Sequence, residues 1–321
     1  MKGARIVATG SYQPNNHVSN KTMETLVETS DEWIQTRSGI KTRAITIDEN
    51  TSDIAYEAAI RAMNKAGIVA DKIDMIIVGT VTGDYVFPGV SQLLQKRLGA
   101  REIPAFDVNA ACSGFIYTLE IAHKMIKSDA YDTVLIIGAE ALSKYTDFSD
   151  RNTCVLFADG AGAAIVQSTE REQIFASAIH SRGSADSLKM DGYPLKENFK
   201  TPHQPRPFIQ MQGKDVFKFA TTALPETIET LLAQSNLTIE SIDKIIAHQA
   251  NARIITHAAK HLNIPMDKMV MNIEHTGNTS SASVPLALDE AIQSNQVSKG
   301  DTVLMVAFGG GLTWGGAIVE L

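Results

Sequence analysis

Apolar positions along this chain follow two periods that alternate. Residues 103–108 read as a short buried strand, after which Phe115, Ile116, Leu119, Ala122 and Ile126 recur at helical spacing. A helix is predicted over 52–66, stopped by Gly67, and another over 251–262, whose apolar stripe is Ile255, Ala258, Ala259 and Leu262. Residues 302–307 form a further apolar run of strand length. Strands alternating with helices in this way predict βαβ units and a mainly parallel sheet, hence an α/β fold.

The pattern also repeats. Ile73-Asp74-Met75-Ile76-Ile77 resembles Ile242-Asp243-Lys244-Ile245-Ile246, and Asp132-Thr133-Val134-Leu135 returns as Asp301-Thr302-Val303-Leu304, both at an offset of 169 residues. The same shift carries Cys112 onto Ser281. Two related α/β halves are therefore expected, 1–170 and 171–321, with 181–212, rich in Gly, Pro, Lys and Asp, as a surface excursion that either borders a substrate entrance or is a plain solvated loop.

Composition narrows the function classes. The 321 residues, 44% hydrophobic and 20% charged, suffice for a large core in one domain or two similar ones. A net charge of -7 argues against general nucleic-acid binding. The start of the chain lacks the apolar stretch of a signal peptide, no run approaches membrane-spanning length, and Cys112 and Cys154 do not suggest a disulfide framework. A cytoplasmic protein without membrane insertion is expected. Cys154, before Val155-Leu156-Phe157, reads as a packing residue.

Candidate chemistry centres on three segments. Cys112 lies in Asn109-Ala110-Ala111-Cys112-Ser113-Gly114, where strand turns into helix. A helix start favours an anion, so a thiol at this exposed corner is expected to ionise more readily than an ordinary one; the alternative is a small buried packing residue. His248 stands in Ala247-His248-Gln249-Ala250-Asn251 and Asn278 in Gly277-Asn278-Thr279-Ser280; taken singly, they read as a core histidine and a turn residue. Equivalent turns of duplicated halves would bring the three together as a Cys-His-Asn site. The turn Phe308-Gly309-Gly310-Gly311 offers backbone N–H groups for an oxyanion, or is merely a tight turn between strands. Gly160-Ala161-Gly162 lacks a third glycine, and the triple glycine lacks a following Gly-Lys-Ser/Thr, so neither NAD nor ATP binding is indicated. His257 and His261 have metal-ligand spacing without a third ligand, so no metal site is expected.

Ala-Ala-Cys-Ser-Gly-Phe, His-Gln-Ala-Asn-Ala-Arg, Gly-Asn-Thr-Ser and Phe-Gly-Gly-Gly-Leu-Thr-Trp-Gly, in this order, resemble the β-ketoacyl-[acyl-carrier-protein] synthase III family of bacterial type II fatty-acid synthesis. The resemblance runs from Thr29-Ser30-Asp31-Glu32-Trp33 nearly to the C-terminus. It implies a thiolase-like fold of two duplicated βαβαβ-type halves in five α-β-α-β-α layers, assembled as a homodimer.

The resemblance also implies a mechanism. Cys112 would take an acyl group from acyl-CoA, with its own N–H and that of Gly310 as oxyanion hole, and His248 and Asn278 would stabilise the enolate left when malonyl-ACP loses carbon dioxide. No cofactor is implied, because the coenzyme A thioester is a substrate. Trp33, Arg37, Arg151, Asn251, Gly213 and Phe217 would bind coenzyme A, Phe87 would line the acyl pocket, and acyl carrier protein would dock on Gln249, Ala250, Asn251, Ala252, Arg253 and Lys260. The helix there carries a cationic face of Arg253, His257, Lys260 and His261. Ala307, where thiolases carry a second catalytic cysteine, argues against a thiolase, and Asn278, where elongating synthases use histidine, against those. Ser281 stands where many relatives have alanine. CoA-primed synthases or acyltransferases of polyketide-type pathways, and a catalytically silent acyl-CoA-binding protein, are the remaining alternatives.

Overall fold

In the computed structural model the described residues are 2–192 and 207–321. The first half comprises β1 (Gly3–Tyr12), α1 (Asp31–Ser38), α2 (Thr51–Ala66), β2 (Met75–Gly79), α3 (Val90–Leu98), β3 (Ala105–Val108), α4 (Gly114–Lys127), β4 (Thr133–Ala141) and β5 (Asp159–Thr169). There follow β6 (Ile174–Ser184), a strand pair β7 (Leu188–Met190) and β8 (Ile209–Met211), α5 (Gly213–Ser235), β9 (Lys244–Ala247), α6 (Ala252–His261), α7 (Ser283–Gln293), β10 (Thr302–Gly309) and β11 (Gly311–Glu320). The larger sheets run β1-β5-β4-β2-β3 and β9-β10-β11-β6.

Period-two burial on these strands builds the layers. Along β4, Val134 and Ile136 face the core between the sheets while Leu135 and Ile137 face the outer helices α2 and α3. Along β10, Val303 and Met305 face the same central core while Leu304 and Val306 face α5 and α6. Strands buried on both faces must be apolar throughout, which is what their sequences show. Helices α4 and α7 fill the space between the sheets, contributing Phe115, Leu119, Ala122, Val284, Ala287 and Leu288. The result is five layers, α-β-α-β-α.

The 169-residue offset recurs in the fold: β2 and β9, β4 and β10, and α4 and α7 each begin that far apart. So do two non-glycine residues held at positive φ, Ala111 (45°) and Ser280 (49°), each in the tight turn ahead of a central helix. The helices predicted over 52–66 and 251–262 form as α2, ended by a left-handed Gly67, and α6, capped by Asn251.

Two expectations are corrected. The sheets are mixed, with β1·β5, β5·β4, β10·β11 and β11·β6 antiparallel. The β10–β11 turn at Gly309–Gly311 is too short for the crossover a parallel pair needs. The strand expected at 103–108 is β3, half-buried rather than buried, because it lies at a sheet edge. The 181–212 excursion is in part strand, since β6 runs to Ser184 and β7 pairs with β8; its residues 193–206 lie outside those described.

Candidate active site

Cys112 sits in a 3-10 turn, Ala111–Ser113, between β3 and α4. The turn is wedged against the C-terminal half: a Cβ on Gly309 would stand 2.6 Å from the Cys112 N, and the Thr313 hydroxyl lies 2.8 Å from the Ala110 carbonyl and 3.1 Å from that of Gly310. Cys112 and Gly310 open onto one cavity of about 320 Å³, shared with Asn109, Leu142, Phe157 and Ser280. Leu188, Met190 and Ile209 close another side, so the flanks of the 181–212 excursion border this site.

The expectation of an exposed, readily ionised thiol is overturned. Cys112 is only 8% exposed. Burial pushes its thiol up to about 12; a hydrogen bond from Ser280 opposes this and the charge of Glu140 adds to it. Desolvation of the anion is the largest influence on this thiol.

His248 follows the last residue of β9, its N–H donating to the Val306 carbonyl at 2.8 Å. The ring packs edge-on against Phe308, with centroids 5.2 Å apart. Phe308 immediately precedes Gly309, so the histidine stands beside the strand end that packs on Cys112. Burial drives the imidazole down to about 3, and its Nδ1 has no hydrogen-bond partner among the described residues. The ring is neutral at ordinary pH, with a proton available for Nε2.

Asn278 is pinned through its backbone, its N–H donating to Leu156 O and its carbonyl accepting the Ala158 N–H. Its Oδ1 accepts the Ser280 N–H at 2.9 Å, which fixes the amide and leaves Nδ2 as the spare donor. Ser280 thus holds Asn278 and lines the same cavity as Cys112.

Trp33, Arg37, Gly213 and Asn251 line a second cleft of about 640 Å³, whose Leu156 is the chain neighbour of Phe157 in the first and whose Met211 shares β8 with Ile209 of the first. The guanidinium of Arg151 lies 4.9 Å above the Trp33 ring centroid and that of Arg37 6.0 Å from it. Asn251 lines this cleft while its amide serves the fold, accepting the Arg253 N–H and donating to Arg37 O. Phe217 packs under Arg253, 5.3 Å from its guanidinium, and is not part of the cleft wall.

Two residues stand elsewhere than expected. Gln249 is fully buried, and its side chain serves Ala247 O, Val270 O and the N–H groups of Asn272 and Ile273. It braces the loop behind His248 and presents nothing to a docking protein. Phe87 is 83% exposed and does not line the Cys112 cavity of its own chain. Arg253, His257, Lys260 and His261 are exposed on α6, while Ala250 and Ala252 are half-buried. Among the described residues no group of three His, Cys, Asp or Glu could hold a metal ion.

Sequence reasoning passed over Glu140. It is the lone charge in the apolar run of β4, fully buried, and that isolation was its only signal.

Comparison with known proteins agrees with this geometry. A family model described as 3-oxoacyl-[acyl-carrier-protein (ACP)] synthase III matches residues 106–183, and the model of its C-terminal part matches 232–321. The chain is 48% identical over 324 residues to a Clostridium perfringens β-ketoacyl-[acyl-carrier-protein] synthase III, covering all of both proteins. It is 47% identical to a Xanthomonas campestris protein of the same name, over 99% of this chain and 98% of that one. The crystal structure of 3-oxoacyl-[acyl-carrier-protein] synthase III from Aquifex aeolicus superposes with a TM-score of 0.92 at 42% identity, covering 99% of this chain and 100% of that chain.

Proposed function

The chain belongs to the 3-oxoacyl-[acyl-carrier-protein] synthase III family of CoA-primed condensing acyltransferases, and from that premise we propose how its residues divide the reaction. Cys112 attacks the thioester carbonyl of an acyl-CoA, the oxyanion is held by the N–H groups of Cys112 and Gly310, and coenzyme A departs, taking a proton. Malonyl-ACP then loses carbon dioxide. His248, neutral and donating from Nε2, and Asn278, donating from Nδ2, hold the enolate oxygen while its carbon attacks the acyl-Cys112 carbonyl. The Cys112 thiolate is expelled and 3-oxoacyl-ACP leaves.

What supports this reading is that chain neighbours line the Cys112–Gly310 cavity and the Trp33 cleft, Phe157 and Ile209 the one, Leu156 and Met211 the other. An adenine stacked on Trp33, with its phosphates on Arg37 and Arg151, sends the thioester arm past Gly213 and Asn251 toward the thiol. Phe217 supports Arg253 beside that path. The half 1–170 supplies the nucleophile and 171–321 supplies His248, Asn278 and the glycine turn.

Carrier protein docks on the exposed cations Arg253 and Lys260, flanked by Ala250, Asn251 and Ala252. The edge strand β3 and the exposed apolar Tyr85, Val86 and Phe87 are the surface for a homodimer, in which Phe87 reaches an acyl pocket only across the subunit boundary. The chemistry requires no cofactor. Among the described residues no helix is long and apolar enough to cross a membrane, and the substrates place the enzyme in the cytoplasm.

The test is intact mass after incubation with acetyl-CoA, isobutyryl-CoA or hexanoyl-CoA, with Cys112→Ser alongside. A gain of one acyl group, absent from the variant, is expected and identifies the primer. No gain with any donor would leave a silent acyl-CoA-binding protein as the better account.

A further inference from the structure

The fate of the Cys112 proton is not explained by the helix start, because burial holds the thiol neutral. One buried acid faces that thiol. Glu140 lies on β4, its Oε2 accepting from Thr82 Oγ1 at 2.7 Å, Val81 N–H at 3.1 Å and Thr80 Oγ1 at 3.3 Å, and its Oε1 lying 3.1 Å from Ser280 Oγ and 2.9 Å from Ser281 Oγ. Ser280 lines the same cavity as Cys112 and is the hydroxyl that favours its thiolate, so it stands between the thiol and the carboxylate.

Proton counting leaves room for a proton on this carboxylate. The Ser281 hydroxyl lies 2.7 Å from Gly79 O as well as 2.9 Å from Glu140, and its single proton satisfies only one of them. When it serves Gly79, Oε1 accepts from Ser280 alone and can take up a proton without displacing a donor. The groups that face Glu140 are these hydroxyls, the Val81 N–H and the Cys112 thiol; burial lifts its acid to about 7 against the hydrogen bonds from Thr82, Val81, Ser281 and Ser280.

We propose that Glu140 is the proton acceptor for Cys112, acting through the Ser280 hydroxyl. As Sγ attacks the acyl carbonyl, its proton passes to Ser280 Oγ and the Ser280 proton passes to Glu140 Oε1. A neutral thiol and a carboxylate become a thiolate and a neutral acid, so the pocket holds one negative charge during the attack and never two. The departing coenzyme A thiolate takes its proton from solvent. When condensation expels the Cys112 thiolate, the proton returns from Glu140 by the same route. One solvent proton is consumed per turnover, as the loss of carbon dioxide from a carboxylate requires.

This rests on the proposed nucleophilic role of Cys112, and the experiment separates the two. Formation of acyl-Cys112 from acetyl-CoA is followed by rapid quench and intact mass across pH 5 to 9, for the wild type, Glu140→Gln and Ser280→Ala. Alanine is tolerated at the positive φ of Ser280, as Ala111 shows in the matching turn. In both variants acylation should slow by about 100-fold or more, within the range for a lost general base. The wild-type rate should fall as Glu140 protonates below about 7, a limb that Glu140→Gln lacks. Were Glu140 only a structural brace or an opposing charge, removing its charge would leave acylation unchanged or speed it, and that result overturns the relay. Should Glu140→Gln fail to fold, Ser280→Ala decides alone. A wild type that is never acylated would instead overturn the nucleophile assignment.

Discussion

Replacing Gly309 by alanine perturbs the site at its tightest contact. The new Cβ would stand 2.6 Å from the Cys112 backbone N, 3.1 Å from its Cβ and 3.2 Å from the Ala111 Cβ. Ordinary contact begins at 3.4 Å, so the turn must retreat by about 0.8 Å, and the nearest obstacle is backbone that cannot swing aside. Gly309 is not at positive φ, so the effect is steric and not torsional. Overpacking of this kind costs ~1–3 kcal/mol of stability. Because the displaced N–H is the proposed oxyanion donor, acylation should slow toward the ~100-fold that a 1 Å misplacement can cost. The assay is the rate of acyl-Cys112 formation together with the thermal midpoint. Gly183→Ala is the control, since nothing among the described residues lies within 4 Å of its added Cβ, and its effect should stay within about ±0.5 kcal/mol. Wild-type acylation and stability in Gly309→Ala would refute the packing of the glycine turn on Cys112.

Three further outcomes are expected. Trp33→Ala should weaken coenzyme A binding about tenfold, given ~1–3 kcal/mol per stacked base, without changing alkylation of Cys112; calorimetry and iodoacetamide kinetics check the pair. Gln249→Ala should lower the thermal midpoint, because each main-chain group it leaves buried and unpaired costs ~1–3 kcal/mol, whereas Arg253→Glu should leave the midpoint alone and raise KM for malonyl-ACP. With the His248 imidazole held down to about 3, its neutral form persists as pH falls, so decarboxylation of malonyl-ACP by acylated enzyme should lose no rate to histidine protonation between about pH 8 and pH 5. A loss with a midpoint near the ordinary histidine value would contradict the buried, neutral ring.

Much of the site was legible along the chain. Cys112, His248, Asn278 and the glycine turn were each marked by local signals: a strand-to-helix junction, a loop after an apolar run, and glycines where backbones meet. Gln249 misled because its neighbours are exposed. One step along the loop reverses which side of the backbone faces the core, and only packing shows which residue turns inward. Phe87 stands in solvent on a single chain, and no local pattern says what would cover it.

Periodicity, caps and the 169-residue repeat are written locally, since helix and strand spacing depend on neighbours within a turn or two. They determined the elements, the duplication and the identity of the candidate side chains. Tertiary structure decided their chemistry. The buried thiol, the neutral imidazole and the line from Cys112 through Ser280 to Glu140 arise from desolvation and from contacts such as Ser280 to Glu140, 140 residues apart. No local pattern reports what surrounds a side chain once distant segments have closed over it, and that enclosure sets where its protons sit.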